Sequence, residues 1–223
     1  MRLRSELLFT LSDLKSRKIR LGVLASHAGT NLQAIIDACA SGQIHASVEV
    51  VISNNSSSYA LERAQKSGIQ AVHMSRYTNS TNQELDVAIC TMMKLHRVDL
   101  VILAGYMKKI GVETLKAYPN RILNSHPSLM PNYCGPGMYG DKVHKAVLAA
   151  GEKETGVTIH LVDEEYDHGS IVDQVKVPLK PDESLENLIQ NLKSIEHAFW
   201  VNTIEKLQKG VIDLDSISVD SDQ

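Results

Sequence analysis

The residues best suited to chemistry in this sequence are an amide and an imidazole two positions apart, Asn124 and His126. In an extended chain their side chains share a face, so both would point into one crevice. An asparagine and a protonated histidine can donate hydrogen bonds to an oxyanion. Asp167, in an acidic turn between two later apolar runs, could raise the pKa of His126 and order a water that removes a proton. The three side chains suit attack of an amine on a carbonyl carbon.

Two other interpretations of these residues stay open. A lone histidine in a chain of this size is commonly a packed structural residue. Convergence of His126, His160, His168 and Asp167 would instead indicate a metal site, but no His-x-x-x-His or comparable ligand spacing occurs. We therefore expect chemistry without a metal.

A second candidate site is the loop at residues 26–31, which follows an apolar run and opens onto a helical pattern. Free N–H groups and the dipole at a helix start can hold a phosphate, and Gly29 would permit close approach. Alternatively, Ser26, Thr30 and Asn31 cap the helix with no ligand present. The dinucleotide fingerprint Gly-x-Gly-x-x-Gly is missing, so a monophosphate fits better than a dinucleotide.

The elements that must position these residues alternate along the chain from position 19. Apolar, β-branched runs predict strands at 19–25, 48–52, 70–74, 99–104, 121–124, 157–162 and 171–177. Helical patterns lie between them and after the last, at about 32–39, 59–67, 82–95, 112–118, 142–150 and 185–209. This alternation predicts an α/β fold with a doubly wound, mainly parallel sheet. The close spacing of the last two strands predicts an antiparallel C-terminal pair.

Length and composition predict one compact domain at 19–210, with an N-terminal extension at 1–18 and a flexible acidic tail at 211–223. The net charge of −3, without long runs of one sign, argues against nucleic-acid or membrane partners. The apolar patch near the N-terminus is too short to span a membrane or direct secretion. Cys39, Cys90 and Cys134 form no Cys-x-x-Cys pair, which favours the cytoplasm.

At these residues the sequence resembles the phosphoribosylglycinamide formyltransferases, folate-dependent enzymes of purine synthesis also called GAR transformylases. The resemblance rests on four blocks, residues 29–35, 103–107, 123–131 and the turn 163–169 with the apolar strand that follows. With Glu196-His-Ala198 it extends from about position 19 to 210. The histidine block paired with the later aspartate turn is specific to formyl transfer from folate, whereas the glycine loop alone would not be.

The resemblance implies a Rossmann-like formyltransferase fold. It implies that the formyl group of 10-formyltetrahydrofolate passes to the amino group of glycinamide ribonucleotide, in de novo purine biosynthesis, by direct attack through a tetrahedral intermediate. Asn124, His126 and Asp167 match the catalytic trio of the family. The other matches are the substrate-binding residues Gly29, Thr30, Asn31 and Glu196, and the folate-contacting residues Met107, Lys108, Lys109, Ile110, Asn124 and Asp163. We expect a monomer or homodimer with small-molecule partners only.

Several positions depart from the family pattern. His27 and Ala28 replace the usual residues before the phosphate-loop glycine, and His168 stands where many members have glycine. Lys108 and Lys109 occupy a position where arginine is common, so they would meet the folate tail as point charges and not as a bidentate fork. Of these changes, His168 bears most directly on the site, because it lies in the turn that must hold Asp167.

Two related activities and one of another class compete with this assignment. Formyltetrahydrofolate deformylase, a hydrolase, has the same trio but an added N-terminal domain, for which the segment 1–18 leaves no room. Methionyl-tRNA formyltransferase would need a basic C-terminal domain, whereas this chain ends acidic. A catalytically idle folate- or nucleotide-binding protein would have the trio in the wrong positions. We expect a formyl-transfer assay to separate it from an enzyme.

Overall fold

A computed structural model describes residues 17–217 of the chain. The strands are β1 (Ile19–Leu24), β2 (Ala46–Ser53), β3 (Gln70–His73), β4 (Leu100–Leu103), β5 (Ile122–His126), β6 (Glu154–Leu161) and β7 (Ile171–Pro178). The helices are α1 (Thr30–Ala40), α2 (Tyr59–Lys66), α3 (Asn82–Leu95), α4 (Val112–Ala117), α5 (Asp141–Ala149) and α6 (Leu185–Gln208). The predicted alternation of strands and helices is confirmed.

The strands form one seven-stranded sheet in the order β3-β2-β1-β4-β5-β6-β7. Neighbours from β3 to β5 pair in parallel, whereas β6 pairs antiparallel with both β5 and β7. The predicted doubly wound, mainly parallel sheet with an antiparallel C-terminal pair is therefore confirmed. The chain winds outward from β1 to β3 and then returns to β4 on the other side of β1. In open sheets, ligands bind beyond the carboxyl ends of the strands at such a reversal.

Both faces of the sheet are covered, which explains why its central strands are apolar throughout. Helices α1, α2 and α6 contribute to the hydrophobic cluster on one face, and α3 and α4 to the cluster on the other. All four residues of β4 are buried, as is typical of a parallel strand between two helical layers. Trp200 of α6 is fully buried, and its indole N–H donates to Ser125 Oγ of β5 over 3.1 Å.

Strand β5 extends two residues beyond its predicted end at Asn124. The extra residues pair with β6, where Ser125 lies opposite Ile159 and His126 opposite Thr158. Asn124, just before them, lies opposite His160. The sequence pattern did not reveal this pairing because polar residues interrupt the apolar run. His126 therefore belongs to a strand and not to the loop beyond it, and the strand geometry holds Asn124 and His126 on one face.

Contacts with the core continue past both ends of the predicted domain. Arg17 forms two hydrogen bonds with the Asp99 carboxylate, of 2.7 and 2.5 Å. Arg121 pairs with Asp215 at 2.7 Å, and Leu214 is fully buried. Packing thus continues beyond residue 210, where we expected the domain to end. The remainder of the predicted extension, 1–16, and of the predicted tail, 218–223, lies outside the described residues.

None of the helices within residues 17–217 is long and apolar enough to cross a lipid bilayer. Cys39, Cys90 and Cys134 are free thiols, and Cys90 is buried.

The turn between β6 and β7 requires glycine at position 169. A Cβ atom there would collide with the carbonyl oxygen of Leu161, which also lies 2.8 Å from His160 Nδ1. Because a backbone atom cannot move aside cheaply, we expect Gly169→Ala to lower the free energy of unfolding by about 1–3 kcal/mol. Urea denaturation followed by circular dichroism measures it, and a midpoint equal to that of the unmodified protein would contradict the prediction.

Candidate active site

A cleft of about 730 Å³ opens at the carboxyl ends of β4 and β5. One wall comes from β5 and the turn after β6, another from the segment after β4, and α6 contributes Glu196. Ten of the residues predicted from the sequence line it: Asn31, Met107, Lys108, Lys109, Ile110, Asn124, His126, Asp163, Asp167 and Glu196. The other two, Gly29 and Thr30, are the neighbours of Asn31 in the chain and do not line the cleft.

The predicted trio meets inside this cleft. Asp167 Oδ2 lies 3.4 Å from His126 Nδ1, and Asp167 Oδ1 lies 3.5 Å from Asn124 Nδ2. Asp167 reaches this position from a turn in which its own φ is 52°, a left-handed conformation that aspartate tolerates better than most residues. The N–H of Gly135 donates to Oδ2 over 3.3 Å and helps to hold the carboxylate. The structure therefore brings together the three residues that the sequence separates.

His160 is a fourth member of this cluster. It lies opposite Asn124 on β6 and is buried. Its Nδ1 donates to the Leu161 carbonyl over 2.8 Å, which leaves Nε2 to accept from Asn124 Nδ2 over 3.1 Å. Nε2 is also 3.6 Å from Asp167 Oδ1. Sequence reasoning considered His160 only as a metal ligand, although its alignment with Asn124 would follow from the register of the two strands.

His126 is buried, and both of its ring nitrogens face oxygen atoms. Nε2 donates to the carbonyl oxygen of Tyr133 over 2.8 Å, while Nδ1 faces Asp167. Burial lowers the pKa of His126, Asp167 and the Tyr133 carbonyl raise it, and His160 lowers it further. The effect of Asp167 has the expected direction, but burial outweighs it and the net pKa lies below the usual value of a histidine. This direction favours a neutral ring in the free protein at neutral pH. The protonated His126 that would donate to the oxyanion of the intermediate stays a prediction.

The pKa of Asp167 shifts in the opposite direction to that of a carboxyl group that is simply buried. Burial is the largest single effect and raises its pKa, but the contact with His160, the electrostatic attraction of both histidines and the Gly135 N–H together lower it more. The net pKa lies below the usual value, so Asp167 is a carboxylate at neutral pH. His168 does not displace it, because that exposed side chain turns away and pairs with Asp163 at 2.8 Å.

Glu196 enters the cleft from α6 and is tied to β5. Ser125 Oγ donates to Glu196 Oε1 over 2.5 Å and accepts the indole N–H of Trp200. Burial raises the pKa of Glu196, and hydrogen bonds from Ser125 and Asn31 partly offset this effect. The sequence did not single out Ser125, because it points to the opposite face of the strand from Asn124 and His126.

The loop at residues 26–31 ends in a helix start that no side chain caps. Gly29 is the N-cap of α1, with φ of 64°, and makes no side-chain cap hydrogen bond. A Cβ at Gly29 would lie 2.8 Å from Ala60 Cα, so only glycine fits. Arg63 of α2 stabilises the loop, because its Nε donates a hydrogen bond to the Ala28 carbonyl over 2.8 Å. The alternative that Ser26, Thr30 and Asn31 merely cap the helix is therefore wrong, and the helix start can receive an anion.

The segment Met107 to Ile110 forms the wall across from the trio. Lys108 and Lys109 are exposed there, whereas Ile110 is buried. Within residues 17–217, no group of three or more histidine, cysteine, aspartate or glutamate side chains is arranged to hold a metal ion. The cleft is thus lined by two imidazoles, two amides, four acidic side chains and a pair of lysines: His126, His160, Asn31, Asn124, Asp163, Glu165, Asp167, Glu196, Lys108 and Lys109.

Comparison with known proteins identifies the family. The formyl transferase family matches residues 19–204. The chain belongs to this family. It is 40% identical over 191 residues to a phosphoribosylglycinamide formyltransferase of Haemophilus influenzae, an alignment that covers 86% of this chain and 88% of the relative. The trifunctional purine biosynthetic protein adenosine-3 of Drosophila melanogaster is 38% identical over 203 residues, which are 90% of this chain and 15% of that protein.

A solved formyltransferase has the same fold. The crystal structure of glycinamide ribonucleotide transformylase 1 from Symbiobacterium toebii superimposes with a TM-score of 0.80 at 38% identity. The match covers 87% of this chain and 90% of that chain. The formyltransferase fold predicted by the resemblance is therefore confirmed over nearly the whole described chain.

The environment of His126 in this formyltransferase predicts its protonation state. Because Nε2 faces a carbonyl oxygen and burial disfavours the charged ring, we expect a neutral ring with its proton on Nε2 and a titration midpoint below 6.5. In Asp167→Asn the midpoint should fall further, since the carboxylate raises this pKa. Nitrogen-15 NMR of the imidazole against pH measures both quantities. A midpoint above 6.5, or one unchanged by Asp167→Asn, would contradict the prediction.

Proposed function

We propose that this protein transfers the formyl group of 10-formyltetrahydrofolate to the amino group of glycinamide ribonucleotide, a step of de novo purine biosynthesis. The observation that supports it most is the meeting of Asn124, His126 and Asp167 in a cleft with an uncapped helix start at one side. The named relatives that align along most of this chain support the same activity.

The ribonucleotide fits the side of the cleft formed by α1 and α6. Its phosphate would lie at the start of α1, where backbone N–H groups of Thr30 and Asn31 and the helix dipole attract an anion. Glu196, held by Ser125, would then face the glycinamide end of the substrate. This orientation directs the reacting amine towards Asn124 and His126.

The folate fits the opposite side. The segment Met107 to Ile110 and the turn containing Asp163 would contact its ring system, and Lys108 and Lys109 would attract its anionic tail. The formyl group would then lie between the two substrates, next to the trio. Direct transfer requires this arrangement, because the amine must reach the formyl carbon without an intervening enzyme-bound intermediate.

The proposed steps follow from the protonation states of His126 and Asp167. The amine nitrogen forms a bond to the formyl carbon, and the carbonyl oxygen becomes an oxyanion to which the Asn124 amide can donate. The attacking nitrogen loses a proton through a water ordered by Asp167, and the neutral His126 accepts it at Nδ1. The resulting imidazolium is stabilised by the oxyanion and by Asp167. The bond to N10 of the folate then breaks, and the proton passes from His126 to N10.

This sequence of steps gives the lowered pKa of His126 a function. An imidazole that is already protonated could stabilise the oxyanion, but it could not accept the proton that the amine releases. A neutral ring beside a carboxylate can do both in turn, because the charge it acquires is needed only while the oxyanion exists. Location in the cytoplasm and a monomeric or homodimeric state remain predictions.

The assay that tests this proposal compares two fates of the formyl group. Purified protein is mixed with 10-formyltetrahydrofolate, with and without glycinamide ribonucleotide, and tetrahydrofolate and formylated ribonucleotide are both quantified. We expect release of tetrahydrofolate to depend on the ribonucleotide and to match its formylation one for one. Equal release without the ribonucleotide would indicate a deformylase, and binding of both ligands without turnover would indicate an idle binding protein. Either result would refute the proposal.

Substitutions in the trio test the assignment of roles. Asn124→Ala and His126→Ala each remove a group that stabilises the transition state, so kcat should fall by about 10²-fold or more. His45→Ala is the matched control, because His45 is exposed at the start of β2, away from the cleft, and should retain full activity. A folded His126→Ala protein with nearly full activity would refute the assignment.

A further inference from the structure

A buried hydroxyl joins three loops at the edge of the sheet where the cleft opens. Ser26 lies two residues after the end of β1, with 1% of its surface exposed. Its Oγ donates to Asn54 Oδ1, after β2, over 2.5 Å and accepts from the Met107 N–H, after β4, over 2.8 Å. Its own N–H donates to the Gly105 carbonyl over 3.1 Å. Ser26 therefore contacts both ends of the turn formed by residues 105–107.

The direction of these hydrogen bonds restricts the Ser26 hydroxyl to one orientation. Its single hydrogen points to Asn54, so a lone pair is left for the Met107 N–H. Gly105 has φ of 73°, and the chain turns sharply there into the segment Met107 to Ile110. Ser26 thus holds the start of the wall that faces the trio, although it does not itself line the cleft.

Ser26 also lies where the winding of the sheet reverses. β1 and β4 are neighbours there, and the loops that follow them diverge to opposite sides of the cleft. The loop after β1 continues through Gly29 to the start of α1, and the loop after β4 becomes the Met107 to Ile110 wall. The hydroxyl is therefore a direct link between the two segments that would receive the two substrates.

We propose that Ser26 is a positioning residue. It holds the folate-facing segment Met107 to Ile110 in place relative to the loop at residues 26–31, which would bind the ribonucleotide. The proposal rests on the proposed function for the identity of the two ligands. Without the hydroxyl, the Met107 N–H and Asn54 Oδ1 lose their partner in a partly buried position, and the segment moves to recover a hydrogen bond. The folate then binds less well, while Asn124 and His126 on β5 and Asp167 after β6 keep their geometry.

Ser53 offers a matched control for a purely structural role. It is also fully buried at the same edge of the sheet, at the end of β2. Its Oγ accepts a backbone N–H, that of Asn55, over 3.1 Å. Ser53→Ala therefore removes the same kind of hydrogen bond as Ser26→Ala without touching either end of the 105–107 turn.

The experiment measures steady-state kinetics of the full chain with each variant. Ser26→Ala should raise KM for 10-formyltetrahydrofolate about tenfold and change kcat less than about threefold, as expected for loss of the hydrogen bond that holds the Met107 N–H and acts on binding. Ser53→Ala should leave KM unchanged while lowering thermal stability by about as much as Ser26→Ala does. Equal KM values for the two variants would overturn the proposal.

A second variant and a second measurement keep the result decisive. Asn54→Ala leaves Ser26 and its bond to Met107 in place but frees the hydroxyl to rotate, so KM should rise by less than in Ser26→Ala. If Ser26→Ala does not fold, an unchanged KM in Asn54→Ala refutes the proposal.

Calorimetric titration with tetrahydrofolate measures binding without turnover, so weaker binding in the Ser26 variant can be detected even if the wild-type protein transfers no formyl group. Failure of the proposed function and failure of the Ser26 proposal are thus distinguishable.

Discussion

The arrangement of the cleft depends on one carboxylate, Asp167, held between the rings of two buried histidines. Asp167 lies 3.4 Å from His126 Nδ1 and 3.6 Å from His160 Nε2, and it accepts the Gly135 N–H. Hydrogen bonds from the Gly135 N–H and the Asn124 amide, together with the electrostatic effect of the histidines, keep its pKa below the usual value despite its burial. An ionised group in a poorly hydrated position is costly unless hydrogen-bond donors surround it, so the turn that carries Asp167, the strand that carries Asn124 and the loop that contributes Gly135 must all be in place together.

The same balance of burial against charge explains the contrast between the titratable groups. His126 is neutral because burial outweighs the attraction of Asp167, while Asp167 is ionised because its contacts outweigh burial. Glu196, on the opposite side, has a raised pKa because burial outweighs its hydrogen bonds. When the pKa values of neighbouring groups are shifted apart in this way, one group can accept a proton while another stays an anion at the same pH. No prior proton exchange with solvent is needed. The site thus combines a neutral base and an ionised carboxylate within one cavity.

Much of the site could be predicted from local patterns. The spacing of two between Asn124 and His126 places them on one face of a strand, and the glycine before α1 marks a helix start open to ligands. Three features were missed: the His160 contact with Asn124, the Tyr133 carbonyl that faces His126, and the Ser125 link to Glu196. Each joins residues from different segments of the chain, so none leaves a periodic signal in the sequence.

The family resemblance named most of the residues that gather at the cleft. The sequence by itself determined the order of strands and helices and the mainly parallel sheet with its antiparallel pair. These features depend on short-range patterns of apolar, polar and turn-forming residues. Only the tertiary structure decided the extension of β5 through His126, the burial of Leu214 and the lowered pKa of His126. Burial is a property of the whole packed chain, and a pKa depends on how that burial compares with the nearby charges. Neither quantity can be read from the spacing of residues.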